Sequence, residues 1–160
     1  MSEILGSLFK TIVALLALAG ITLVANQVFG ANKTSDHLAN LHQMNLNIQA
    51  LYSTQGSYTS LTNTVIISGH LAPKSMTVTG SLLNPWGGAV TVVVNSGNAS
   101  QYDATDASVP AESCAKVATG QSTLVGLKIN GAAQTLPADA GALVTACNLA
   151  SNTLIYTYSR

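Results

Sequence analysis

A run of 21 residues, Thr11 to Ala31, carries no charged side chain. That matches the ~20 residues a helix needs to cross a bilayer. A secretory signal would show a basic leader, a shorter apolar core and a small-residue cleavage box. Here Glu3 accompanies Lys10 ahead of the run, and no sharp cleavage box follows. The segment is therefore expected to be retained.

The next stretch, "ANKTSDHLANLHQMNLNIQALYSTQG", keeps a helical period. Leu38, Leu41, Met44 with Asn45, Ile48, Leu51 and Tyr52 recur at steps of three and four. This predicts an amphipathic helix with His37, Asn40, Gln43 and Asn47 on its wet side. No proline interrupts residues 1–55, and Gly56 stands where a left-handed cap would end a helix. One helix over about residues 2–55 would span ~80 Å. Its first half is apolar all round and wants lipid or other helices. Its second half has one apolar stripe and wants a globular partner. Gly20 and Gly30 are its weak points, at roughly 1 kcal/mol each against Ala.

After Gly56 the period changes. "TVIISG", "MTVTG", "AVTVVVN", "TLVGLKIN" and "TLIYTYS" are β-branched runs bounded by Gly, Asn, Ser and Pro, and predict strands of a mostly antiparallel sheet. "NPWGG" predicts a turn. "VPAESCAKVATG" and "LPADAGALVTACN" predict two short helices, the first opened by Pro110 and closed by Gly120, the second opened by Pro137 and Asp139. The polar stretch 94–110 reads as an exposed variable loop. Together these give an α+β head on a helical stalk.

Each short helix carries one cysteine, Cys114 and Cys147. Behind a membrane-type N-terminus, a disulfide in an oxidising compartment is favoured over two buried thiols. In the chain-entropy model such a bridge contributes roughly 3–4 kcal/mol.

Charged residues are 8% of the chain, with six bases against six acids. No net field steers it toward nucleic acid, and none is predicted as a specific partner. A weakly charged surface favours association, a liability for a monomer and an asset for a subunit that polymerises, and charge alone does not choose between them. His37 and His42 are five apart and lack the i, i+4 spacing of a metal pair, and "DATD" lacks a calcium-loop pattern. No GxSxG, P-loop or HExxH occurs, so no enzyme, metal or cofactor is expected.

Taken in order, "QALYSTQGSYTSL", "NPWGGAVTVV", "ESCAKVATG", "GLKING", "LPADAGALVTACN" and terminal "LIYTYSR" resemble a type IV pilin. The likeness is closer to the type IVb branch that contains the bundle-forming pilin. It covers essentially the whole chain. It implies the type IV pilin fold, a long N-terminal helix packed on a mostly antiparallel sheet with short helices and one disulfide. The parts would be a membrane or filament-core half-helix (1–30), an amphipathic half-helix (31–55) and an α/β head (56–160).

The resemblance further implies a major pilin, a homo-oligomeric helical filament on the bacterial surface. It implies an inner-membrane stage and contact with pilus assembly machinery beforehand. Met1 would be a processed, N-methylated terminus. The family glutamate expected at position 5 is replaced by Leu5, so Glu3 becomes the acid that would meet a neighbour's α-amine, with Lys10 as a second partner. The family's proline near position 22 is Thr22 here, with Gly20 as the substitute point of loosening. Two alternatives stay open: a periplasmic binding or sensor head on one transmembrane helix, and a minor pilin or secretion pseudopilin.

Overall fold

The computed structural model describes Lys10, Ile12, Val13 and residues 32–160. Lys33–Arg160 forms one compact unit. It opens with helix α1, residues 32–51, whose inward stripe is Thr34, His37, Leu41, Met44, Asn45 and Ile48. The three- and four-residue steps are those the sequence predicts, but two of its assignments need correcting. His37 was expected on the wet side and is fully buried. Leu51 was expected in the stripe and is 47% exposed, because the helix ends there and Tyr52 turns inward instead. The helix therefore stops four residues short of the expected end at 55.

The segment "TVIISG", read as a strand, is helix α2, Asn63–Ser68. The Thr62 side chain caps it by accepting from Val65 N at 3.3 Å. Tertiary contacts outweigh its β-branched composition. Asn63 Nδ2 donates to Val90 O at 2.9 Å, and Val92 N donates to Asn63 Oδ1 at 2.7 Å. A side-chain amide thus closes the free edge of the adjoining strand, where unpaired backbone would invite other chains. "MTVTG" is only partly extended. Met76 ends a 3-10 turn, Lys74–Met76, and β1 (Thr77–Val78) pairs with β2 (Ser81–Leu82) in a small separate hairpin.

The main sheet has five antiparallel strands in the order β3-β4-β7-β5-β6. They are β3 (Val90–Asn95), β4 (Asn98–Pro110), β5 (Leu124–Ile129), β6 (Ala132–Gln134) and β7 (Ser151–Ser159). The largest correction is β4, because residues 94–110 were expected as an exposed loop. The segment alternates with period two: Tyr102, Ala104 and Asp106 are buried, while Gln101, Asp103 and Thr105 lie on the opposite face. Outward Asp103 is satisfied by Asn95 Nδ2, at 2.9 and 3.1 Å, and by the Thr157 hydroxyl at 2.7 Å. The polarity that suggested a loop belongs to paired cross-strand groups.

The "NPWGG" turn joins β2 to β3. Gly88 is required there by close backbone approach, since a Cβ would lie 1.9 Å from Ala107 O. Helices α3 (Ala111–Thr119) and α4 (Ala140–Ala146) follow β4 and β6 as predicted. Pro110 is the residue before α3 rather than its first helical position, and Asp139 caps α4 by accepting from Ala142 N at 2.9 Å.

A file of tyrosines runs through the core. Tyr52, Tyr58, Tyr102 and Tyr158 follow one another at ring separations of 5.1, 4.9 and 5.2 Å, and Tyr156 lies 6.5 Å beyond. Burial raises the pKa of Tyr102, Tyr156 and Tyr158 well above the ordinary range. The charge of Asp106 adds to the shift at Tyr156 and Tyr158.

Above the ordinary tyrosine pKa of about 10, the unfolded chain loses protons that the folded chain keeps. The tyrosine contribution is therefore complete below about pH 10, and each phenol subtracts up to ~1.4 kcal/mol per pH unit above it. Urea unfolding in detergent across the alkaline range should show this steep decline. Tyr156→Phe deletes a buried hydroxyl that has no hydrogen-bond partner among the described residues. It should leave neutral stability within about 0.5 kcal/mol and make the decline shallower. An unchanged slope would contradict the assignment.

Candidate functional site: the polar contacts that fasten the first helix

Three polar residues interrupt the inward stripe of α1, and each meets a polar partner on the head. Thr34 Oγ1 and Ser113 Oγ of α3 share a hydrogen bond at 2.9 Å. His37 Nε2 lies 2.6 Å from Asp106 Oδ2 of β4. The Tyr102 hydroxyl donates to Asn45 Oδ1. A helix with a purely apolar stripe could slide or rotate on the sheet at little cost. Directional bonds at three levels fix one register, because a misplaced buried polar group loses its partner and about 1–3 kcal/mol.

The central contact is the most elaborate. Nε2 faces a carboxylate, so it carries the proton and donates it. Asp106 Oδ1 accepts a second bond, from Asn84 Nδ2 at 2.8 Å. Asn84 also donates to Ala107 O at 2.6 Å and accepts from Gly88 N and Trp86 N at 2.7 and 3.1 Å. The "NPWGG" turn is thus wound around one amide. It presents Trp86 edge-to-face against His37, with centroids 5.3 Å apart and planes at 77°. His37 Nδ1 is buried without a hydrogen-bond partner among the described residues.

A histidine–carboxylate pair can serve as a general base, but only where a substrate can reach it. The side chains of His37 and Asp106 are 0% and 1% exposed, and the nearest level's hydroxyls, Thr34 and Ser113, bond each other. The arrangement fastens elements and does no chemistry. Among the described residues no group of three or more His, Cys, Asp or Glu is placed to hold a metal.

Of the residues singled out in the sequence, Cys114 and Cys147 are joined in a disulfide with Cα atoms 5.8 Å apart. It ties α3 to α4, whose only buried helical side chain is Leu143. Lys10 is exposed. Met1, Glu3 and Gly20 lie outside the described residues. No helix among the described residues is long and apolar enough to cross a membrane. Sequence reasoning missed His37, Asp106 and Asn84. The one signal available was that His37 sits seven residues before Met44 and four before Leu41, on the stripe itself.

Removing one member of the buried pair, by His37→Ala or Asp106→Asn, should cost about 3–5 kcal/mol. The paired replacement His37→Leu with Asp106→Leu should cost less than the sum of its single changes, measured by thermal unfolding. Strict additivity would mean the two groups are not coupled. Cys114→Ala with Cys147→Ala should lower stability by roughly 3–4 kcal/mol. It should also speed amide exchange in α4 more than in the sheet, and uniform acceleration would deny the disulfide a local role.

The family described as PilS N terminal matches residues 31–159. A type IVb pilin from Salmonella typhi is similar in structure, with a TM-score of 0.63 and 25% identity over 79% of this chain and 99% of that one. TcpA, a type IV pilin from the Vibrio cholerae El Tor biotype, shares the fold with a TM-score of 0.55 and 12% identity. That match covers 80% of this chain and 99% of that one. No curated sequence matches the chain. The chain belongs to the PilS N-terminal family and is a type IV pilin of the IVb kind.

Proposed function

We propose that this pilin is the major structural subunit of an extracellular filament, held together through its N-terminal segment. Type IV pilins are surface pilus components, structural proteins rather than enzymes. The observation that carries the reading is a division of labour along the chain. The stripe of α1 is consumed by the head through Leu41, Met44, Ile48 and the polar contacts. The charge-free run from Thr11 to Ala31 precedes that stripe in the chain. A segment that is apolar all round suits first the inner membrane and then a bundle of neighbouring subunits' helices.

Within lipid the backbone of such a segment is already satisfied by helix formation. Transfer into a bundle of like helices then depends on packing and charge neutralisation, since lipid tails are as apolar as the bundle. Glu3 is the acid placed to neutralise the Met1 α-amine of a neighbour, with Lys10 as a second cation. Gly20 supplies local give. An unpaired carboxylate in an apolar bundle would be costly, which makes the pairing a condition of assembly.

Glu3→Gln should leave the pilin in the membrane fraction but cut the yield of sheared surface filaments by about tenfold or more, an assembly cost of ~1.4 kcal/mol per subunit. Wild-type filament yield from this variant would sink the electrostatic mechanism. Mass spectrometry of sheared material should find a methylated Met1. Absence of the chain from surface filaments would favour the minor-pilin or pseudopilin alternative.

A further inference from the structure

A groove of about 620 Å³ opens between α1 and the segment that links α2 to the 3-10 turn. Small-molecule sites commonly enclose about 300–1,000 Å³. One wall is Gln43 and Asn47 of α1, and the floor includes Ile67 and Pro73. The two amides are already engaged. Gln43 Nε2 donates to Asn47 Oδ1 at 2.9 Å, and Asn47 Nδ2 donates to Leu71 O at 2.8 Å. They brace the wall.

Of the other polar side chains, the Thr77 hydroxyl donates to Pro73 O at 3.5 Å. The remaining ones are His70 and Lys74, and among the described residues no acid lines the groove. Neither makes an ion pair or a side-chain hydrogen bond among the described residues. His70 is held at the groove in the left-handed backbone region, φ 53°, by its own N–H to Ile67 O at 3.2 Å and by Leu71 N to Ile66 O at 2.9 Å. A side chain of that bulk at positive φ is uncommon. A free ammonium, a free imidazole and an aliphatic floor share one concavity with no compensating negative charge.

We propose that this groove binds a small organic carboxylate carried on an aliphatic body. The carboxylate meets Lys74, a mobile point charge with three donors, and a ring N–H of His70. The aliphatic body covers Ile67 and Pro73. Charge complementarity selects an anion, and the apolar floor selects against a bare one. This reading does not depend on filament formation.

The test uses the full chain in detergent micelles, titrated with N-acetyl-leucine while NMR follows the His70 ring and Ile67 methyl signals. N-acetyl-leucinamide supplies the body without the charge, and acetate supplies the charge without the body. N-acetyl-leucine should shift both signals saturably, with the two controls at least about tenfold weaker. Lys74→Gln should weaken binding about tenfold, as loss of one charge-assisted contact. His70→Asn should weaken it about as much while tolerating the left-handed backbone, read at the Ile67 methyl groups. The absence of a saturable shift, equal response to N-acetyl-leucinamide, or unchanged affinity in Lys74→Gln would each overturn the proposal.

Discussion

The buried bond between His37 and Asp106 is the contact on which the head's organisation depends. It joins the first helix to the longest strand, and both partners are shielded from water. Burying such groups is expensive unless every remaining hydrogen-bonding site is occupied. On the Asp106 side the structure meets that demand by winding the 84–88 turn around Asn84, which serves Asp106, Ala107, Trp86 and Gly88 together, while His37 Nδ1 has no hydrogen-bond partner among the described residues. The contact therefore reaches beyond two side chains. It sets where α1 lies, how β2 passes into β3, and why Gly88 tolerates no side chain.

Around this centre the head divides its stability by region. The tyrosine file fills the core with large rings, several of whose hydroxyls reach polar partners, as Tyr102 does at Asn45 and Tyr158 at Gln121, while that of Tyr156 has none among the described residues. The part of the core under α4 is thinner, since that helix buries only Leu143 along its length. There the disulfide to α3 compensates by restricting the unfolded chain, in the chain-entropy account. A fastened α1 and a braced α4 belong to a head that forms one compact unit over Lys33–Arg160. That is what the proposed role asks of a subunit whose leading segment serves its neighbours.

Much of this was legible beforehand. The step pattern of Leu41, Met44 and Ile48 located the helix and its apolar face, because helical period is a property of the local chain. The strands over 89–95, 123–130 and 153–159 were visible as β-branched runs with turn residues between them. Pro110, Gly120 and Asp139 marked the short helices, and two cysteines in two of them suggested the bridge. The misreadings share a different origin. His37 looks like a wet-side residue until its partner 69 positions away is known. Asp103 and Asp106 make β4 look like a loop until Asn95, Thr157, Asn84 and His37 arrive to satisfy them. Asn63 and Thr62 convert an apparent strand into a helix by bonding to a strand edge and to the backbone.

The sequence by itself determined the order and type of most elements, the apolar stripe of α1 and the charge-free leading run. Each of these follows from residues close together in the chain, or from composition. Only the tertiary structure decided which polar residues go inside. Burial of a polar group is favourable or ruinous according to whether a partner stands within about 3 Å. Those partners come from elements that folding alone brings together.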